Sequence, residues 1–212
     1  MWGLATLNGA KPEAALVVDG RIFSVAALAA AAGKTLPPTT VAMLADWPAT
    51  QPVLAALAAC AAQSGVAHAD ATTAKLAAPL LYPGKVLCAG ANYYDHMAEM
   101  GFPGTKKETQ RLFFFFKPPR NAVVGPGATV VMPRGTRKYD WEIELAAVIG
   151  KTARYVPVER ALEHVAGYTI AIDMSARDFN RPPISSTSSI GSPGRRPTPH
   201  VRWGPGWFRP ML

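Results

Sequence analysis

Stretches of alternating polar and apolar residues give way along the chain to stretches of helical period, and the changeovers mark its elements. Ala15-Leu-Val-Val, then Asp19-Gly20, then Arg-Ile-Phe, reads as two strands joined at an Asp-Gly hairpin turn. Ser24 ahead of an Ala/Leu run closed by Gly33 predicts a capped helix. A longer Ala/Leu-rich helical pattern covers residues 40–64, with interruptions expected at Pro48 and Pro52. Residues 79–85 read as a linker, and Val86 to Ala91 as a buried strand beyond it. A short helix follows, with Asn92 or Asp95 as its cap. Residues 112–117 hold four successive Phe and then Lys117, a pattern that asks for burial on both faces and so for a central strand. Residues 123–127 read as a turn and 129–133 as another strand. From Lys138 to Gly150, Trp141, Ile143 and Leu145 alternate with Glu142 and Glu144, which places both carboxylates on one side of a strand. Val158 to Gly167 reads as an amphipathic helix with a glycine stop, and Tyr168 to Asp173 as an apolar strand ending in a third carboxylate.

Composition narrows the class. With 49% hydrophobic residues in 212, a buried core is expected. No apolar run reaches the ~18 residues of a membrane span. The start Met1-Trp-Gly-Leu-Ala lacks the basic head and apolar core of a signal peptide. Cys60 and Cys88 have no CxxC spacing and read as core residues of a protein in a reducing compartment, so a cytoplasmic location without membrane contact is expected. The net charge of +8 raises the question of nucleic acid, but five of the 22 basic residues lie after Asn180, where no acidic residue occurs. What precedes carries 17 basic against 14 acidic residues and no basic patch interleaved with aromatics, so no nucleic-acid partner is expected.

The candidate chemistry sits in the second region. Glu142, Glu144 and Asp173 offer oxygen donors from two strand ends. Neighbouring carboxylates repel, and a Mg²⁺ or Mn²⁺ ion would hold them together. The same pattern also describes a solvated strand face paired with Lys or Arg. His96 and Glu99 fall at i, i+3 on one helix face, either as a general-base pair or as an ordinary surface pair. Lys117 at its strand end suits an anionic substrate or a surface cap equally. His68 stands alone in a polar loop, and His164 suits a helix C-terminal cation or packing better than a ligand.

Four motifs in order resemble the fumarylacetoacetate hydrolase family. They are Asn92-Tyr-x-x-His96-x-x-Glu99-Met after a strand, Phe-Phe-Lys117-Pro-Pro with Val-Gly-Pro-Gly, x-Glu142-x-Glu144-Leu-Ala-x-Val-Ile-Gly, and Val-Ala-Gly-Tyr-Thr with Asp173-x-Ser-Ala-Arg177-Asp. The resemblance implies an α+β chain whose catalytic part is a mixed β-roll, usually in a homodimer, preceded by a small α/β N-terminal region. It implies domains at 1–78 and 79–180. It implies Glu142, Glu144 and Asp173 as ligands of Mg²⁺ or Mn²⁺, with Ca²⁺ possible, and His96 and Glu99 as the dyad that activates water or moves a proton. Tyr94, Lys117 and Arg177 occupy motif positions implied to bind substrate. The implied activity is hydrolysis, isomerisation or decarboxylation of a small 2-oxo or 1,3-dicarbonyl acid through a metal-stabilised enolate. Arg120-Asn121 departs from the family's usual hydroxyl residues.

After Asn180 the resemblance is expected to stop. Residues 181–212 hold seven Pro and five Arg with no strand or helix period, the composition of a disordered tail. Reading the tail in the frame that joins each third base to the next two fixes glycine across Trp203/Gly204 and valine across Trp207/Phe208. The remaining junctions permit Gly-Lys-x-x-Asp-Thr-x-x-Pro-Val-Gly-Pro-Trp-Leu-Val-Pro-Ala-Asp, as a family member would continue. The expectation is therefore a frameshift between about Asn180 and Gly194 and a truncated roll with open strand edges, the Phe strand poorly covered. On that footing a catalytically dead remnant, partner to an intact paralogue, stands as the alternative to an active enzyme.

Overall fold

The computed structural model describes residues 1–104, 106–109, 113–179, 201–203 and 207–210. Strand β1 (Trp2–Leu7) pairs antiparallel with β2 (Glu13–Val18), and β2 pairs with β3 (Arg21–Ser24). Asp19 and Gly20 both take positive φ, 47° and 76°, the geometry that matches a two-residue hairpin turn to the twist of its strands. Ser24 accepts the Ala27 N–H at 3.3 Å and so caps α1 (Val25–Ala31), with Gly33 in the left-handed region just past its end. The long helical pattern splits into α2 (Thr40–Leu44) and α3 (Trp47–Cys60). The break precedes Trp47 instead of falling at the prolines. Pro48 sits in the first turn, where its missing N–H is not needed, and Pro52 is accommodated within the helix. His68 lies on the strand β4 (His68–Asp70) and not in a loop, its ring 5.2 Å from that of Phe23.

The second region contains β5 (Val86–Gly90), α4 (Tyr94–Glu99), β6 (Phe113–Lys117), β7 (Val123–Val124), β8 (Tyr139–Ile149) and β9 (Val165–Ala176). Two short strands follow, β10 (Val201–Trp203) and β11 (Trp207–Pro210). One sheet runs in the order β4-β3-β2-β1-β11-β9-β10-β7, with β8 on the other edge of β9; β5 and β6 form a separate pair. Helices and strands are mixed as an α+β chain requires. Within the tail expected to carry no strand, β10 and β11 pair with β9, β7 and β1; the rest of 181–212 lies outside the described residues.

Four element expectations are corrected. Residues 129–133 form no strand, with Val131 and Met132 exposed. Residues 158–164 make a 3₁₀ segment with no buried residue, and Gly167 lies inside β9 instead of ending a helix. The Phe strand is not central. Among the described residues it pairs with β5 alone, and Phe114 and Phe116 are 62% and 68% exposed, while Lys117 at its end is buried. β5 is itself only half buried, and Cys60 is exposed on α3 instead of lying in the core.

The main core gathers Leu4, Leu16, Phe23, Leu28, Met43, Trp47, Leu54 and Leu57 and continues into Val148 and Ala166 of β8 and β9. Gly150 is required at that junction, since a Cβ there would stand 2.7 Å from the Ala166 Cβ and 2.8 Å from the Trp47 ring. Buried Thr6 and Thr40 both donate to the Pro79 carbonyl, at 2.9 and 2.8 Å, and fasten the linker to the N-terminal strands.

Candidate active site

β8 and β9 pair in one long antiparallel register with Glu142 directly opposite Asp173, Asp140 opposite Ser175 and Glu144 opposite Ala171. Because side chains alternate across a strand, Asp140, Glu142, Glu144, Asp173 and Ser175 share one face. This face turns inward. The opposite one, with Trp141, Ile143, Leu145 and Ile149, is exposed.

Each carboxylate is held by a neighbour. Asp173 is buried and forms an ion pair with Lys117, whose Nζ also donates to the Met174 carbonyl at 3.3 Å. Lys117 is thus a fully buried strand-end cation, which removes the reading of a surface cap. Ser175 Oγ donates to Glu142 Oε1 at 2.8 Å, and Arg177 Nη2 reaches the same oxygen at 2.9 Å. His96 Nε2 lies 3.2 Å from Glu142 Oε2 and 3.2 Å from Arg177 Nη2. Arg177 Nε in turn donates to Asp140 Oδ2 at 3.0 Å.

Burial is the largest influence on Glu144 and on Asp173. Glu144 is raised above its ordinary range first by burial, then by Glu142 and Asp173, and the Tyr93 hydroxyl opposes the rise. Asp173 is raised by burial, with the Lys117 ammonium pulling the other way. The Cys88 thiol on β5 is pushed up to about 11 by burial and by the nearby Asp173 charge, so it is no nucleophile at neutral pH.

Of the residues marked out in the sequence, His96, Lys117, Glu142, Glu144, Asp173 and Arg177 are brought together. Glu99 is not. Its side chain is 79% exposed and its Oε2 lies 3.7 Å from His96 Nδ1, too long for a hydrogen bond. Tyr94 also points elsewhere: its hydroxyl donates to Glu108 at 2.6 Å and Lys107 stacks on its ring. Tyr93, one residue earlier, takes the place beside Glu144, and Asp140 and Ser175 join the cluster unforeseen. Their signal was the period of two: Asp140 precedes Glu142 by two residues and Ser175 follows Asp173 by two.

The donor set suits a hard divalent cation, with three carboxylates on one sheet face and two of them directly opposed. As arranged, Asp173 faces Lys117 and Glu142 faces Arg177 and His96, and among the described residues no group of His, Cys, Asp or Glu is gathered closely enough to hold an ion.

A sheet face carrying acids framed by a histidine, an arginine and a buried lysine, in a mixed α+β chain, defines a class of protein with a polar centre built on paired strands. The chain belongs to the fumarylacetoacetate hydrolase family: the family domain described as Fumarylacetoacetate (FAA) hydrolase C-terminal matches residues 85–192. The match contains all six clustered residues and carries on past Asn180, where the resemblance was expected to stop. The bovine mitochondrial oxaloacetate tautomerase FAHD2A is 39% identical over 145 residues, which are 68% of this chain and 43% of that protein. The human mitochondrial oxaloacetate tautomerase FAHD2B is 40% identical over the same length. The chain therefore spans less than half the length of these curated relatives. Among solved structures, maleylpyruvate hydrolase from Sphingobium sp. SYK-6 in complex with manganese(II) and pyruvate aligns with a TM-score of 0.65 and 25% identity over 98% of this chain and 67% of that one. The 2-hydroxyhepta-2,4-diene-1,7-dioate isomerase from Mycobacterium marinum aligns at 0.61 and 21% over 100% and 67%, and shows the fold alone.

Proposed function

We propose that the chain acts on small 2-oxo or 1,3-dicarbonyl acids, by C–C hydrolysis, isomerisation or decarboxylation, with a divalent cation held by Glu142, Glu144 and Asp173. The observation that carries this reading is the register that sets Glu142 opposite Asp173 on the face bearing Glu144. Mg²⁺ or Mn²⁺ suits the all-oxygen donor set, and Ca²⁺ is the third choice. A relative named as an oxaloacetate tautomerase and a neighbour crystallised with manganese and pyruvate support the substrate class and the ion. A bound cation would polarise adjacent oxygens of such an acid.

The chain's own groups supply the rest. Arg177 is the cation available to a substrate carboxylate, since Lys117 is buried against Asp173 and the Met174 carbonyl. His96, against Glu142, is the group able to carry a proton to or from the reacting carbon. Glu99 would serve His96 only by turning inward from its exposed position. We further propose a homodimer in the cytoplasm; among the described residues no helix is long and apolar enough to cross a membrane.

A second reading, an inactive remnant that pairs with an intact paralogue, draws on the exposed Phe114 and Phe116 of the Phe strand. Assay of the purified protein with oxaloacetate and acylpyruvates, with and without Mg²⁺, separates the two. Metal-dependent turnover that disappears in Glu142→Ala is the expected result. No turnover at any metal concentration leaves the remnant.

A further inference from the structure

The ladder between β8 and β9 runs one pair beyond Tyr139 and Ala176. Arg177 donates its backbone N–H to the Lys138 carbonyl at 2.8 Å, which sets Lys138 opposite Arg177. The alternation that puts Asp140, Glu142 and Glu144 on one face puts Lys138 on that face too, at its end. The face is therefore graded, with acids along its middle and two cations opposed where it stops.

Like charges directly opposed across two strands repel, and each needs a counter-charge. Arg177 has two, Asp140 and Glu142. Lys138 is exposed and forms no ion pair among the described residues. The two acids that border it are already engaged. Asp140 accepts Arg177 Nε through Oδ2 and the Trp141 N–H through Oδ1 at 2.9 Å. Asp178 accepts the Arg137 N–H at 2.7 Å and the Thr136 hydroxyl. The Lys138 N–H donates in turn to Thr136 Oγ at 3.3 Å. These bonds fix the backbone that carries Lys138 and leave its ammonium to solvent, without a partner of its own.

Resting on the substrate class proposed above, we propose that Lys138 is a specificity residue that takes a second carboxylate, at the end of the substrate remote from its oxo group. Glu142 lies four residues further along β8, about 13 Å by the rise of a strand. The lysine stem and a short carbon chain share that gap. The site then prefers dicarboxylic oxo-acids to monocarboxylic ones of the same length, and the preference weakens with salt because the ammonium is open to water.

NMR titrations of the whole chain in Mg²⁺ buffer test this with 2-oxoadipate and 2-oxohexanoate, which differ only in a carboxylate against a methyl at the far end. The proteins are the wild type, Lys138→Gln, Lys138→Arg and Arg137→Gln. Wild type should bind 2-oxoadipate about fivefold more tightly than 2-oxohexanoate, the scale of one ion pair open to solvent. Lys138→Gln should lose that preference with its affinity for 2-oxohexanoate unchanged, and Lys138→Arg should keep it. Arg137 falls on the opposite face by the same alternation, so Arg137→Gln should keep it as well; an equal loss there would mean a general field of positive charge and overturn the site. Equal affinities for the two acids in the wild type, or a preference that survives in Lys138→Gln, overturn the role of Lys138 and leave the oxo-acid reading standing. Folded protein that binds neither acid overturns both.

Discussion

Glu144 carries the electrostatic strain of the site. Its carboxyl is raised by burial and by its neighbours Glu142 and Asp173, so the folded chain holds that proton more tightly than the unfolded chain does. Such a group leaves stability intact below its ordinary value of 4.5 and subtracts from it as pH rises through the raised folded value. Glu144→Gln should therefore be more stable than the wild type at pH 7, with the difference closing near about pH 4, where glutamate is itself largely neutral. Urea midpoints at the two pH values measure this, and a lower midpoint for the variant at neutral pH would contradict it. At this scale the sequence marked the acids, His96, Lys117 and Arg177, because strand alternation and motif order place them. Spacing did not separate Tyr94, whose hydroxyl meets Glu108, from Tyr93, whose hydroxyl meets Leu145 and Glu144. Nor could spacing show that Glu99 faces solvent while Glu142 meets the imidazole, a contact made only by tertiary packing.

The alternation in β8 was legible, but which of its sides faces inward was not. A stripe of Trp141, Ile143 and Leu145 beside two glutamates reads as apolar side in, yet here the acids face in and Ile143 is 66% exposed. The reason is the partner strand: Asp173 and Ser175 of β9 line up with the acids, and Lys117, His96 and Arg177 neutralise the combined face. The hairpin at Asp19-Gly20 and the Ser24 cap were recoverable because their signals are local. The 3₁₀ segment at 158–164 was not, since its apolar residues mimic a helical period although none of them is buried. The β8–β9 unit is joined to the N-terminal core through Gly150, beside Ala166 and the Trp47 ring. Gly150→Ala forces a methyl into that contact and should cost about 1–3 kcal/mol. Chemical denaturation reads it directly, and an unchanged midpoint would show that the junction has room to spare.

Across the whole molecule, β11 lies between β1 and β9, so the N-terminal hairpin strands and the site-bearing strands belong to one sheet. No sequence signal foretold this, because pairing between distant strands leaves no periodic trace and the tail's composition suggested no strands. Among the described residues the same sheet leaves Trp141, Ile143, Leu145, Ile149 and Ile170 exposed on its outer side, an apolar patch of the kind that marks a protein–protein contact. Sedimentation velocity at micromolar concentration should accordingly show species larger than the monomer, and Ile143→Lys should shift them toward it; a wild type that stays monomeric would count against the proposed dimer. The central claim, that the inward acids of β8 and β9 form a cation site, is tested most directly by anomalous diffraction from a Mn²⁺-soaked crystal. A manganese peak within coordinating distance of Glu142, Glu144 and Asp173 is the predicted result. Manganese bound elsewhere, with Arg177 and His96 still on Glu142, would contradict it.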